Sequence, residues 1–543
     1  MTIKQTFFNL ADLPKLAART WTPLRRVTES TLNDLPPRVI SVAEFHGTAT
    51  AAVHSAKSAD VDTMGWNDVG LNPHRAGMES WGYQSSDVFR GWGDTELGIN
   101  LVIAQHLEEP SKEIWHLHPD LVVALRLIQE GDRWYRPEEG WPEVVRLARG
   151  DNGEPVSIEI KTEFLNDYLA ARGMRLFCSS YAERTAVTEK DPGYGWSRKP
   201  INVAEGRDLL EYTTTSAGWP NPRGSFFTRG AIWRTEWLEP GTFSPRVRGD
   251  KPADEVSFVT KPDGTRVAAA RLHGDIGWLY FDPGIINALL RHRGGRLHWA
   301  SRDTGGVGAT SDTVHFGVND LGLITVFAKD IGMLKPWEQR IWAAHNVTPD
   351  GGVSKELFEA QMMVQPASTK APEALIEKAV DSVASSFRER YGQQLLRENA
   401  QVPDLFTRAH RFRSAETEGL LELSKQLTQL FTERVDVDVV LAQCPPLAKG
   451  EKKPGSLKAI ERLLGTVLTE EQARKMMGPL FGMIDLRNAG SHLGSTLVQS
   501  GLERLGVDGR NPQAVQGLQL LESVVNALLE IDAAIAVPKP PAS

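Results

Sequence analysis

The sequence predicts an α+β protein: a mixed α/β N-terminal region with an internal duplication, followed by an all-α bundle. Three observations predict it. Two segments of the first part resemble each other. Between and beside them lie short β-rich runs broken by turn residues. From Glu373 onward the apolar residues recur at helical spacing. The boundaries that follow are a mixed segment over 1–110, a duplicated α/β region over 111–350, a linker over 351–372 and a helical domain over 373–543.

In the first segment, Val39–Val42 reads as a strand and Gly65–Gly98, rich in Gly, Trp, Ser and Asp, as loop. Leu101–Ala104 is apolar but too short to assign. Pro119 opens a helix running toward Gly131. The repeat comes next. Phe164–Ser180 aligns without gaps to Ile285–Ser301, matching Asn166 to Asn287, Leu169 to Leu290, Arg172-Gly173 to Arg293-Gly294 and Arg175-Leu176 to Arg296-Leu297. Each copy reads as strand, short helix, glycine stop, strand. Two copies predict two related lobes rather than a solenoid.

Val256–Thr260 and Thr265–Ala269 flank Pro262-Asp263-Gly264 and read as a hairpin. Leu321–Ala328 reads as a buried strand. Pro336–His345 reads as a helix with Trp337, Ile341 and Trp342 at core spacing. Val364–Pro372 reads as linker. Helices are then predicted over Leu375–Glu398, over Thr407–Val435 with a break, over Ser456–Leu464, from Thr469 toward Arg487, and over Gln513–Ile535. Pro445–Pro454 is a basic loop.

Composition bounds the function. A chain of 543 residues holds two or three domains. A formal net charge of −8 lacks the basic excess of a non-specific nucleic-acid binder, so any RNA contact is local or made by an oligomeric groove. Two cysteines, Cys178 and Cys444, do not make a disulfide framework, and a reducing cytoplasm is expected. Residues 1–18 lack the pattern of a signal peptide, and no apolar run is long enough to span a bilayer, so no membrane partner is expected.

The chemistry concentrates in Asp485–Leu493. Arg487 is a permanent cation suited to phosphate oxygens, Asn488 follows it directly, and His492 stands five positions on, able to carry a proton near neutral pH. In an all-helical segment, Arg-Asn-x-x-x-His resembles the motif of the HEPN superfamily of small helical domains. Many HEPN members are metal-independent ribonucleases of toxin–antitoxin pairs and anti-phage defence proteins. The resemblance covers the last third of the chain.

The resemblance implies a HEPN-like domain in which Arg487, Asn488 and His492 are catalytic, no cofactor or metal is required, and two chains pair to share one cleft. RNA is then the substrate. The ribose 2′-oxygen attacks the adjacent phosphorus, His492 moves protons and Arg487 offsets phosphate charge. The N-terminal region takes the role of sensor for a trigger ligand or protein. Two other readings stay open: a non-catalytic bundle that dimerises or grips RNA, and a toxin silenced by a nucleotidyltransferase partner. In the plainer reading of the motif, Arg487 caps a helix end and His492 sits in a turn.

Other residues carry weaker signals. Lys449, Lys452 and Lys453, with Lys458 beside them, are candidates for holding RNA phosphates, against a plainer reading as a solvated loop. Asp485 either steers Arg487 or is an ordinary solvated carboxylate. His116 and His118 could share a strand face as metal ligands, but no Cys or further His lies near, and His118-Pro119 reads as a helix start. His345 beside Trp342 reads as core or surface. Gly305-Gly306-Val307-Gly308 lacks the Lys-Ser/Thr of a phosphate loop and reads as a turn.

Overall fold

The structure is a computed structural model, and it describes residues 3–62, 77–79, 82–90, 95–109, 112–196, 201–250, 256–274, 276–415, 418–489 and 496–536. The chain divides into two compact units, Met1–Ala253 and Asp254–Ser543. The division lies near residue 253, inside the region expected to span 111–350. The two copies of the repeat therefore belong to different units. No described helix is long and apolar enough to cross a membrane.

The first unit is built on a 12-stranded sheet. Its centre is four strands: β1 (Trp21–Thr31), β2 (Val39–His54), β3 (Pro155–Lys161) and β4 (Met174–Thr188). They stand in the order β3-β1-β2-β4, every pair antiparallel. Beyond β4 come β6 (Phe226–Leu238), β5 (Asp208–Ser216) and the exposed edge strand Ile201–Glu205. β2, β4 and β6 are rich in Val, Thr, Ile and aromatic residues, which suit a pleated, half-buried surface. Alternation then sends residues of one parity to one face. The even-numbered residues of β4 and β6 meet the N-terminal segment, where Leu10 packs with Ala182, Ile232 and Leu210. Gly230 is required there, because a Cβ would stand 2.2 Å from the Phe8 carbonyl oxygen.

Helix α1 (Thr162–Arg172) joins β3 to β4 and buries Phe164, Leu165, Tyr168 and Leu169 against Leu24, Ile158 and Leu176. It stops at Gly173, whose φ of 62° closes the helix in the left-handed conformation.

The second unit joins a six-stranded sheet to a helical bundle. The sheet strands are β7 (Trp278–Phe281), β8 (Arg296–Trp299), β9 (Thr304–Gly308), β10 (Val314–Val318), β11 (Ile324–Phe327) and β12 (Asn346–Val347), in the order β8-β9-β10-β11-β7-β12. Gly305, Gly306 and Gly308 lie in β9, a strand and not a turn. Their reason is close approach: a Cβ on Gly306 would stand 2.2 Å from the His298 ring and one on Gly308 2.0 Å from the Asp312 carbonyl.

Helix α2 (Gly284–Leu290) joins β7 to β8, so both repeat segments have the expected order of strand, helix, strand. Their settings differ. β1 and β2 separate β3 from β4, leaving those two antiparallel. Three strands separate β7 from β8, leaving them parallel. The matched glycines differ too: Gly173 has a positive φ, whereas Gly294 does not and instead lets the Ala309 carbonyl approach to 3.1 Å of a Cβ position.

The stretch 351–372 is not a free linker. It holds helix α3 (Lys355–Met362), and Glu356 accepts hydrogen bonds from Ser301 at 2.6 Å and Thr369 at 2.7 Å. The bundle follows: α4 (Pro372–Tyr391), α5 (Gly419–Leu430), α6 (Ser456–Leu464), α7 (Glu470–Ala489), α8 (Thr496–Leu505) and α9 (Gln513–Ala536), with the shorter helices Val402–Arg408 and Val437–Leu441 between α4 and α6. Its core runs through Phe387, Leu427, Leu463, Met483 and Leu528. Phe412 and Ala514, from the helical part, lie in the core of the sheet, so residues 373–543 share their interior with 254–372.

Candidate functional site

Helix α7 begins with a reciprocal cap. Thr469 Oγ1 accepts from the Gln472 amide at 3.3 Å, and Gln472 Oε1 accepts from the Thr469 amide at 3.1 Å. Met477, Leu480, Met483 and Leu486 then face the core at helical spacing. That spacing turns Arg487 and Asn488 outward at the last turn, where both are exposed. Arg487 Nη2 meets Glu433 Oε1 at 2.7 Å, each side chain about two-fifths exposed. An ion pair in that setting is worth only ~0–1 kcal/mol, so a phosphate could displace it. Asp485 turns away from Arg487 and pairs with Arg504 of α8 at 3.1 Å. His492 lies outside the described residues.

α7 and α8 cross at two glycines. A Cβ on Gly482 would stand 2.8 Å from the Gly501 carbonyl, and one on Gly501 would meet Leu486 at 3.0 Å. This crossing sets the two helix ends between which His492 occurs in the sequence.

The basic loop is less basic than its sequence. Lys449 and Lys452 are exposed, but Lys453 pairs with Asp438 at 2.6 Å. Asp438 lies five residues after Glu433, so one acidic segment takes up charge from both Arg487 and the loop. Lys458 pairs with Glu461 and stands 4.9 Å over the Phe481 ring. Arg462 pairs with Glu451 at 3.0 Å and donates to the Pro445 and Pro446 carbonyls, pinning the loop to α6. The groove here is lined by acids as well as bases, Glu451, Glu461 and Glu470 against Lys458, Arg462 and Arg474. It is not a surface of one sign.

The histidines weighed as ligands have other partners. His116 bonds Gln105 at 2.8 Å, and His118 Nδ1 accepts from the Asp120 amide, capping a helix over Pro119–Ala124 that ends well before Gly131. His345 lies 3.9 Å from Asp282. Among the described residues no group of three or more His, Cys, Asp or Glu could hold a metal ion.

The most enclosed charge in the second unit was missed by sequence reasoning. Arg411, 1% exposed, donates to Glu373 at 2.8 and 3.0 Å, to Asp303 at 3.1 Å and to the Arg302 carbonyl at 2.8 Å. Its guanidinium lies 4.3 Å over Trp299. Arg302 extends the network to Glu522 of α9 at 2.8 Å. Asn287 donates to the Phe412 carbonyl at 2.8 Å, whereas the matched Asn166 has a buried Oδ1 with no partner among the described residues. These contacts join sheet to bundle; no local sequence pattern marks them, because the partners lie far apart in the chain.

Comparison with known protein families, with curated proteins and with solved structures finds no match to this chain.

Proposed function

We propose that the chain is a regulated, metal-independent endoribonuclease with a HEPN-like catalytic region, acting as a homodimer in anti-phage defence or as a toxin. One observation carries the proposal: α7 presents Arg487 and Asn488 to solvent at its last turn, directly before the segment that holds His492. In the proposed reaction the 2′-oxygen attacks phosphorus and the bond to the 5′-oxygen breaks. One His492 takes the 2′-proton, and the His492 of a second chain gives a proton to the leaving oxygen. Arg487 leaves Glu433 for the phosphate oxygens, and Asn488 orients the imidazole or a phosphate. Lys449 and Lys452 contact the RNA backbone, and the N-terminal unit senses the trigger.

The test is incubation of the purified chain with total RNA in EDTA. Cleavage should persist and leave 2′,3′-cyclic phosphate and 5′-hydroxyl ends, and His492→Ala should abolish it. Strict dependence on a divalent ion, with 5′-phosphate products, refutes the proposal. Dimers mixing wild-type and His492→Ala chains should fall well below half activity if the site is shared.

The Glu433 pairing and the mixed charge of the groove favour a second reading, a bundle that dimerises or grips RNA without cutting it. In that case the His492→Ala chain keeps its binding and its biological effect.

A further inference from the structure

The first unit holds a partly open cleft of about 280 Å³ with a mixed lining, between the central sheet and the segment Leu13–Arg19. Its floor follows from register. Arg26 of β1 stands opposite Thr48 of β2, Thr48 opposite Ser180 of β4, and Ser180 opposite Arg234 of β6. Strands in a sheet are ~4.8 Å apart, so this row of four runs about 14 Å across one face. His46, two residues from Thr48, lies on the same face in the next row. The roof is fixed at two points. Arg234 donates to the Leu13 carbonyl at 2.6 Å, and the Leu16 amide donates to Glu236 Oε1 at 2.8 Å.

The charges around this cleft do not cancel. Arg234 is matched by Asp208, through two bonds of 2.8 Å. Glu44, beyond His46, is matched by Arg184 at 2.8 Å. Glu236 is the remaining acid of the lining, and it is held by the roof amide. The Arg19 guanidinium donates to the Pro14 carbonyl, and among the described residues neither Arg19 nor Arg26 meets a carboxylate at ion-pair distance. The same field is felt by His46, whose proton affinity is lowered by burial and then by the charge of Arg26. Arg19 and Arg26 thus face a single lining carboxylate, Glu236, and a cavity with such a cationic excess can recognise an anion that is not part of the chain.

We propose that this cleft binds a small phosphate-bearing molecule, with Arg26, Thr48, Ser180 and His46 donating to its oxygens and Arg19 closing over it from the roof. A phosphoryl group fits this set because it accepts from several directions at once, and a guanidinium, two hydroxyls and an imidazole reach it from floor and wall. The volume lies just below the usual range for small-molecule clefts, ~300–1,000 Å³, which excludes a polymer and selects one phosphate with a modest substituent. The inference does not depend on RNA cleavage by the second unit.

The test is calorimetric titration of the full chain with inorganic phosphate, a sugar monophosphate and a nucleoside monophosphate, with acetate as control. One saturable site is expected for a phosphate probe, and the best of the three tells free phosphate from a phosphorylated metabolite. Arg26→Gln should weaken binding about tenfold or more, Arg26→Lys less, and Lys378→Ala, at an exposed position on α4, not at all. Arg19→Gln, in the roof, gives a second reading should Arg26→Gln unfold. Absence of saturable binding by every phosphate probe up to about 10 mM overturns the proposal, that limit corresponding to less than about 3 kcal/mol of binding. Binding that both Arg variants leave unchanged, or acetate binding as well as phosphate, overturns it too.

Discussion

Arg411 and its neighbour His410 are two buried polar side chains held in different ways. Arg411 is ionised, with its charge shared between Glu373 and Asp303. Replacing it by Met takes the guanidinium from buried Glu373, which keeps the main-chain amide of residue 411, and leaves Asp303 to Arg302 at 3.1 Å, so a loss of about 3 kcal/mol is expected in urea unfolding of the chain. A loss below about 1 kcal/mol would show that water reaches the site. His410 is buried beside this network, its Nδ1 without a partner among the described residues, and burial pushes its pKa from 6.5 down to about 4. The unfolded chain therefore holds the extra proton between about pH 6.5 and 4. The folded state gains from a neutral His410 above pH 6.5 and loses that gain as pH falls through the window, by up to about 1.4 kcal/mol per pH unit. His410→Gln should flatten the stability–pH curve there, and parallel curves for the two proteins would contradict the sign.

At the level of elements, α6 and α9 were legible from their apolar periodicity and α7 from Thr469 followed by Glu470 and Glu471, and Ser456–Leu464 was read to the residue. The hairpin around Gly264 was legible from its turn chemistry, and Gly264 has the expected positive φ of 84°. The start of β4 was legible as the strand after Gly173, but its continuation to Thr188 and the whole of β6 were not. Polar Ser180, Arg229 and Arg234 interrupt their alternation, because those side chains face partners supplied by the roof or the neighbouring strand. Helix α8 also escaped, its span short, with Gly501 inside it and Gly506 directly after its end. The candidate site was legible as a motif, and its surroundings were not: nothing local announces that Glu433 answers Arg487. The glycine crossing of α7 and α8 gives a test. Gly482→Val must push against the Gly501 carbonyl and Leu505, costing about 1–3 kcal/mol. The change also displaces α8 from Leu486, next to Arg487. Any RNA cleavage should fall further than stability alone explains, read as specific activity under conditions where circular dichroism shows the chain folded.

For the whole molecule, the sequence places a domain boundary at residue 373, and the contacts place it near 253. Phe412 stacks on Trp299 with centroids 5.7 Å apart, and Arg411 reaches Asp303, so a fragment of residues 373–543 loses one side of its core and part of its charge network. Residues 254–543 keep both. The longer fragment is expected to melt in one cooperative transition. The shorter one should melt broadly, with exposed apolar surface that binds a hydrophobic dye. Equal sharp melting of the two fragments would restore the boundary at 373.

The roof of the N-terminal cleft carries a consequence for time. Residues 11–16 are the first of their neighbourhood to be synthesised, yet Arg234 and Glu236, which hold them, are made more than two hundred residues later. Strand β1 likewise waits for Lys161 and its neighbours before its second edge is paired. Contacts so distant in sequence form slowly, and the central hairpin of β1 and β2 can form long before either. On a ribosome this roof segment is thus born well before its partners and seated last. The sheet face that it covers is open to the cell's small solutes throughout that delay, and a solute of the right chemistry can be enclosed as the chain finishes folding.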